Sequence, residues 1–307
     1  MKIACIGNIV FDCTVRCKNF LREGAKHSFD NAVFVTGGPA STAASVLTRF
    51  GNQVDFYGQI GKDGFGAAVY QEMLDENINL THVSRSKENM TPFGFIIVTG
   101  INRTICSLRS PKDFIKPEID NVQYEDGYDF ILTDGKYKDE TLQLMNKNRN
   151  AISIIDAGRA NDDVIELCRH VNYIVCSEEF ANAVSKHTIN KDSKNNEMVF
   201  RTLQEKFPNA MGITITIGDR GYICEQDGEV VNFPAYQSGM PAIDTNGAGD
   251  IFHGAFTHAL ANGYDYYDSL KFANITASLS TTKRGGRKSC PTLQDVEDIM
   301  HPKVFTK

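Results

Sequence analysis

Six apolar runs rich in β-branched residues recur along the chain between helical patterns: KIACIGN, QVDFYGQIG, FILTDG, AISIIDAG, VNYIVCS and GITITIGD. They constrain its fold more than any other feature. Strands that are apolar at consecutive positions must bury both faces, and helices set between them can cover those faces. The alternation predicts an α/β fold with a central, mainly parallel sheet flanked by helices. Helical patterns fall at 39–50, 66–77, 139–148, 164–169, 178–185, 197–206, 249–261 and 267–282. Several of them stop at Gly or Asn, which tolerate the left-handed cap.

Two stretches interrupt the alternation, at about 13–36 and 91–109. In the second, TPFGFIIVTGINRTICSL, the turn TGINR separates two β-rich runs as a hairpin would. Together they predict a small β-sheet lid, discontinuous in sequence, in a chain that otherwise reads as one domain over 1–307. The polar tract HTINKDSKNNE, residues 187–197, reads as a surface loop.

The formal net charge is −6, and the one dense basic run, KRGGRK at 283–288, is short. A nucleic-acid phosphate backbone would be repelled, so no nucleic-acid partner is expected. The 8 cysteines include no C-x-x-C pair, which argues against a zinc ribbon or a disulfide framework. They suit small core residues in a reducing compartment. The start, MKIACIGNIVFD, runs straight into a strand pattern, and no stretch reaches about 18 consecutive apolar residues. A cytoplasmic protein with no membrane partner is expected.

The chemistry concentrates in AIDTNGAGDIFHGAF, residues 242–256. Amides at a helix start lack intrahelical acceptors and carry the positive end of the helix dipole, so they attract anions. Gly247, Ala248 and Gly249 leave those amides uncovered. Asp250, at the end of the turn, can accept the proton of an attacking alcohol while the amides stabilise phosphoryl oxygens. The bland alternative is a tight strand-to-helix connection. A Walker-type loop is absent from the sequence. His253 and His258, on the helix that follows, read as packed side chains rather than ligands.

At these residues the sequence resembles the ribokinase-like (PfkB family) carbohydrate kinases, whose signature is D-T-x-G-A-G-D-x-F-x-G-A-F. Every fixed position matches: Asp244, Thr245, Gly247, Ala248, Gly249, Asp250, Phe252, Gly254, Ala255 and Phe256. The resemblance implies a ribokinase-like fold and ATP-dependent phosphorylation of a primary hydroxyl of a sugar, whether ketose, pentose or sugar acid, with Asp250 as general base. It also implies ATP and magnesium as cofactors and a homodimer formed through the lid.

The same resemblance assigns sugar-binding places to Asp12 in GNIVFD, to Gly37 and Gly38 in GGPASTAAS, to Thr42 and to Asp134. Thr42 stands where the family usually has asparagine, a shorter group with one donor in place of a carboxamide. Arg103 and Arg109 lie in or near the lid, and an inward guanidinium there would suit an acidic sugar. For the nucleotide, TIGDRG resembles a T-x-G-x-x-G loop and implies Thr216, Gly218 and Gly221, with Asn274 facing adenine. Ser177 and Phe180 occupy the two ends of a family N-x-x-E motif tied to magnesium.

In relatives with a potassium site, the corresponding ligands would be Asp244, the carbonyls of Asn246, Ser280 and Gly285, and the hydroxyl of Ser289. Such oxygen donors suit a hard cation. Lys283, Arg284, Arg287 and Lys288 around that loop read as a solvated rim. The rival readings are a nucleoside kinase with a stacking wall from Phe34, Phe93 or Phe95, and a non-catalytic sugar-binding regulator.

Overall fold

The computed structural model describes residues 1–100, 102–108 and 123–302. Its strands are β1 (Lys2–Ile6), β2 (Val10–Cys17), β3 (Ala32–Gly37), β4 (Gln53–Gly61), β5 (Val83–Ser86), β6 (Phe93–Thr99), β7 (Asn102–Leu108), β8 (Phe130–Thr133), β9 (Ile152–Ala157), β10 (Tyr173–Ser177), β11 (Gly212–Thr216), β12 (Tyr222–Gln226) and β13 (Glu229–Phe233). The helices are α1 (Pro39–Arg49), α2 (Gly64–Asp75), α3 (Lys138–Lys147), α4 (Asp162–Leu167), α5 (Glu178–Ser185), α6 (Ser193–Lys206), α7 (Ala248–Ala261), α8 (Tyr266–Ser280) and α9 (Leu293–Met300).

Among the described residues, nine strands form one sheet in the order β13-β12-β11-β10-β9-β8-β1-β4-β5. All six apolar runs of the sequence fall in it as parallel neighbours, and the antiparallel pairings of this sheet among the described residues are β11–β12 and β12–β13. Successive side chains of a strand point to opposite faces, and the core follows that period. In β1, Ile3 and Cys5 join the cluster packed against α1 and α7, whereas Ala4 and Ile6 join Ile131 and Leu144 on the other side. In β10, Tyr173 and Val175 face the first cluster, while Ile174 and Cys176 pack on Phe180, Val199 and Leu203 of α5 and α6. Burial on both faces explains why these strands read as continuous apolar runs.

The two interruptions form a separate four-stranded sheet in the order β3-β2-β6-β7. One face of this lid carries Cys13, Val15 and Ile97, against which Leu21, Phe29 and Phe95 pack. The opposite face carries Asp12, Thr14 and Arg16, because β2 alternates like any strand.

Three features differ from the expectations. The tract at 187–197 is only half loop, since Asp192 accepts a bond from the Lys194 amide and caps α6 from Ser193. Helix α9 was not read, although Thr292 and Asp295 form a capping box at its start. Nor was the β12–β13 hairpin, whose turn residues Asp227 and Gly228 both have positive φ, as Asp-Gly turns prefer.

In the basic run Lys283, Arg284 and Lys288 are exposed, as a solvated rim requires, but Arg287 is not. Arg287 is 2% exposed and pairs with Glu76, while its Nη1 donates to the Thr36 carbonyl at 3.3 Å. Arg49 reaches both Glu76 (2.6 Å) and the Arg287 carbonyl (2.9 Å), and Lys288 pairs with Glu72 at 2.9 Å. Glu72 in turn accepts from the Thr36 amide and hydroxyl, at 2.6 and 2.7 Å. Glu72 of α2 and Glu76, its C-cap, thus tie the loop after α8 to the root of the lid.

Truncating one partner of a buried ion pair strands the other charge away from water. Glu76→Ala is expected to lower stability by about 3 kcal/mol or more. Urea unfolding followed by far-ultraviolet circular dichroism reads this directly, the chain having no tryptophan. Adding Arg287→Met to that variant should recover part of the loss; an unchanged midpoint in the single variant would refute the buried tether.

Candidate active site

Helix α7 begins at the C-terminal edge of the sheet, behind the turn that the sequence singles out. Gly247 is its N-cap, with φ of 75°, a left-handed conformation that a side chain would strain. The space beyond Gly249 is open, with nothing within 4 Å of where a Cβ would stand. The first amides of the helix therefore meet an accessible, side-chain-free surface suited to an anion.

Asp250 follows directly in the first turn. Burial raises its pKa, and the negative charge of Asp156 raises it further, while His253 and Arg103 act in the opposite direction. Asp156, at the end of β9, is itself raised by burial and by Asp134. His253 is 4% exposed, with Nδ1 2.6 Å from the Gly249 carbonyl and 3.4 Å from Asp156 Oδ2, and Nε2 3.1 Å from the Val175 carbonyl. It is packed as expected, but it packs between the anion turn and β9. His258 bonds Asn52 at 2.7 Å, remote from this chemistry.

Asp134 sits at the end of β8 and accepts from the Asn8 amide at 2.7 Å, the Asn8 carboxamide at 3.1 Å and the Ala40 amide at 3.4 Å. Burial raises its pKa despite these bonds. Asp134 and Asp156 line a cleft of about 840 Å³, with Asn8, Pro39, Lys136 and Phe93 also on its wall. Asp12 stands on the lid face against Gly37 and Gly94, where a Cβ on either glycine would collide with its carboxylate. Burial pushes Asp12 up to about 6.

Gly38, with φ of 102°, precedes Pro39 at the start of α1. Thr42 is 3% exposed one turn into that helix. Phe34 and Phe93 stack on Phe11, and Phe95 meets Phe29 edge-on. Arg109 lies outside the described residues.

On the other side of the turn, Thr216 ends β11 and donates to the Cys176 carbonyl at 3.2 Å. Gly218 and Gly221 follow with positive φ, 64° and 96°. Asn274 spends its carboxamide on the segment 234–236, donating to the Pro234 carbonyl (2.9 Å) and accepting from the Tyr236 amide (3.3 Å). Ser177 caps α5, accepting from the Phe180 amide and donating to the Gly158 carbonyl. Phe180 is fully buried in the core beside Phe207. Glu178 pairs with Arg220, and Glu179 lies 3.9 Å from Arg159.

Two residues gain importance that the sequence reading passed over. Asp156 reads in the sequence only as part of the apolar run AISIIDAG. Arg16 was not singled out, yet its Nη2 lies 3.0 Å from Asp244 Oδ2. The signal was present in VFDCTVRC, where Asp12, Thr14 and Arg16 alternate onto one face of a strand. Arg103, aligned with Val98 of β6 as Arg16 is, points to the same turn, donating to the Thr245 carbonyl (3.2 Å) and to Asn246 Oδ1 (3.4 Å).

The chain matches the model of the pfkB family carbohydrate kinases over residues 1–293. It is 23% identical to the ribokinase of Bacillus subtilis over 303 residues, covering 97% of this chain and 99% of that protein. Among solved structures, the ribokinase of Giardia lamblia superposes with a TM-score of 0.81 at 20% identity, covering 97% of this chain and 98% of the other. Arabidopsis thaliana ribokinase, solved with ribose and ATP, superposes with a TM-score of 0.76 at 17% identity, covering 98% of each chain. The family match, together with a nine-stranded sheet, a separate lid sheet and an anion turn set before a half-buried carboxylate, means that the chain belongs to the pfkB family and is an ATP-dependent carbohydrate kinase.

Proposed function

We propose that this kinase phosphorylates a primary hydroxyl of a ketose, pentose or sugar acid, with Asp250 as general base and the amides of Gly247, Ala248 and Gly249 as the anion hole. The observation that carries this reading is the half-buried Asp250, raised toward neutrality by desolvation and by Asp156, directly behind uncovered helix-start amides. A base is most useful when its pKa approaches the working pH. The sugar oxygen forms a bond to the γ-phosphorus as the bond to the β-phosphate oxygen breaks. The hydroxyl proton passes to Asp250, and the amides hold the charge on the phosphoryl oxygens.

The sugar lies between sheet and lid, with Asp12, Gly37, Gly38, Thr42, Asp134 and Arg103 as its binding residues. Asp12 and Asp134 then serve as acceptors for sugar hydroxyls, a use that fits carboxylates held in a partly desolvated cleft. ATP lies over Ser177, Thr216, Gly218, Gly221 and Asn274. Gly218 suits that place, since the space beyond its Cα is open. Magnesium, when bound, neutralises phosphate charge. The buried Phe180 leaves no carboxylate at the end of the expected N-x-x-E motif, so any protein contact to the metal would have to come from another residue. A cytoplasmic setting with free thiols belongs to the same reading.

Homodimer formation through the lid is supported by the apolar side chains its strands expose: Val33 (47%), Phe34 (57%), Ile105 (51%) and Leu108 (52%). Exposed apolar strand faces are commonly covered by a partner. Sedimentation velocity is expected to show a dimer that Phe34→Ser weakens; a wild-type monomer at all concentrations would remove this part of the proposal.

ADP release with Mg-ATP across ketoses, pentoses, sugar acids and nucleosides should reveal one preferred sugar class. Asp250→Asn should cost roughly 10²- to 10⁴-fold in kcat. Turnover that survives in that variant would exclude Asp250 as the base.

The pH profile supplies a separate test. A pKa raised by burial and by a neighbouring negative charge means that the base is lost as pH falls through a value above the ordinary carboxylate range, near 4. The acid limb of kcat/KM should accordingly lie nearer neutrality. Asp156→Asn removes the like charge and should move that limb to lower pH, and an unmoved or raised limb would contradict the coupling.

A further inference from the structure

Four of the five expected potassium ligands, Asp244 first among them, already carry hydrogen bonds within the chain. Asp244 Oδ2 already carries the Arg16 guanidinium at 3.0 Å and the Gly285 amide at 3.4 Å, and Oδ1 accepts from the Asn246 amide at 3.1 Å. The Ser280 carbonyl accepts from the Lys283 amide at 3.3 Å, and the Gly285 carbonyl from the Lys288 amide at 3.0 Å. The Ser289 hydroxyl donates to the Gly286 carbonyl at 2.7 Å. A guanidinium stays charged at any pH the protein meets, and a second cation close beside it would be repelled.

We propose that Arg16, carried on the lid, supplies at Asp244 the positive charge that a bound monovalent cation would otherwise supply, so that this kinase works without potassium. The proposal rests on the kinase reading. It goes beyond that reading by making the charge a property of the chain.

The position of Arg16 gives the arrangement its consequence. Val98 of β6 is the register partner of Arg16 on one side and of Arg103 on the other, so the two guanidinium groups descend from β2 and β7, the two lid strands that flank β6. They land on the segment 244–246, immediately before the amides of the anion turn. Arg103 makes backbone and carboxamide contacts there, whereas Arg16 meets the one carboxylate. Asp244 has 11% of its side chain exposed and Arg16 has 32%, so the pair is partly shielded from screening by salt. The lid therefore delivers a fixed positive charge to the segment that precedes the anion turn. Arg16 is thus a positioning residue, acting through Asp244 on the amides and touching no reacting atom.

The test compares initial rates in potassium chloride and in choline chloride at matched ionic strength. Wild-type turnover should change by less than about twofold, because an exchange of screening ions alone leaves a shielded pair intact. Arg16→Met should lose at least about tenfold in choline chloride and regain part of the loss in potassium chloride. Arg16→Lys should keep most of the activity in both salts, an outcome that a role in packing alone does not predict. Activation of the wild type by potassium of more than about tenfold, or an Arg16→Met variant as active as wild type in choline chloride, would overturn the proposal.

Thallium(I), a potassium surrogate followed by its nuclear magnetic resonance line width, provides a readout without turnover. The wild type should not broaden the line saturably, and saturable broadening would also overturn the proposal. A kinase that turned over no sugar yet left the thallium line unaffected would count against the proposed substrate class and in favour of Arg16 as the resident charge.

Discussion

Three carboxylates crowd the C-terminal edge of the sheet, and their mutual repulsion in a desolvated cleft is the constraint on which the site depends. Asp134 ends β8, Asp156 ends β9, and Asp250 opens α7; Asp134 raises Asp156, and both raise Asp250. Parallel strands bring such residues together because their C-terminal ends lie side by side. The cost of keeping like charges together is tolerable only where protons, backbone amides or cations offset it. Asn8 and Ala40 supply amides to Asp134, and the start of α7 supplies its dipole near Asp250.

The scaffold holds this edge in register through charges on the opposite side of the lid root. Glu72 of α2 and Glu76 at its C-cap gather Thr36, Arg49, Arg287 and Lys288, residues from β3, α1 and the loop after α8. Thr36 directly precedes the Gly37–Gly38 turn, and Arg287 lies in the loop whose Gly285 amide reaches Asp244. A buried network of this kind costs desolvation, and its use is to specify one arrangement of three elements that hydrophobic contact alone would leave free to slide.

The lid shows how one strand serves two ends. In β2 the odd residues Cys13 and Val15 pack under Leu21 and Phe29, and the even residues Asp12, Thr14 and Arg16 turn the other way. Asp12 lies beside Gly37 and Gly94, while Arg16, two pleats further on, reaches the anion turn. A single alternating strand thereby joins the glycines beside Asp12 to the turn that opens α7.

Much of this was legible in the sequence because it depends on local order. Apolar runs that must be buried on both faces determined the parallel sheet, the break in their alternation determined the lid, and bare residues before Asp250 determined the anion turn, which is a property of consecutive amides. Even the features passed over, the Asp-Gly turn of β12–β13 and the capping box of α9, were local signals. What only the tertiary structure decided are partnerships across long separations. Arg16 and Asp244 are 228 positions apart, and Arg287 and Glu76 are 211. No periodicity encodes such pairs. Arg287 therefore reads as part of a solvated rim until packing places Glu76 beside it, and an arginine in a strand reads as ordinary until the fold sets it against one carboxylate. Charge pairing over such separations follows from where the packed elements bring side chains, which a linear pattern does not contain.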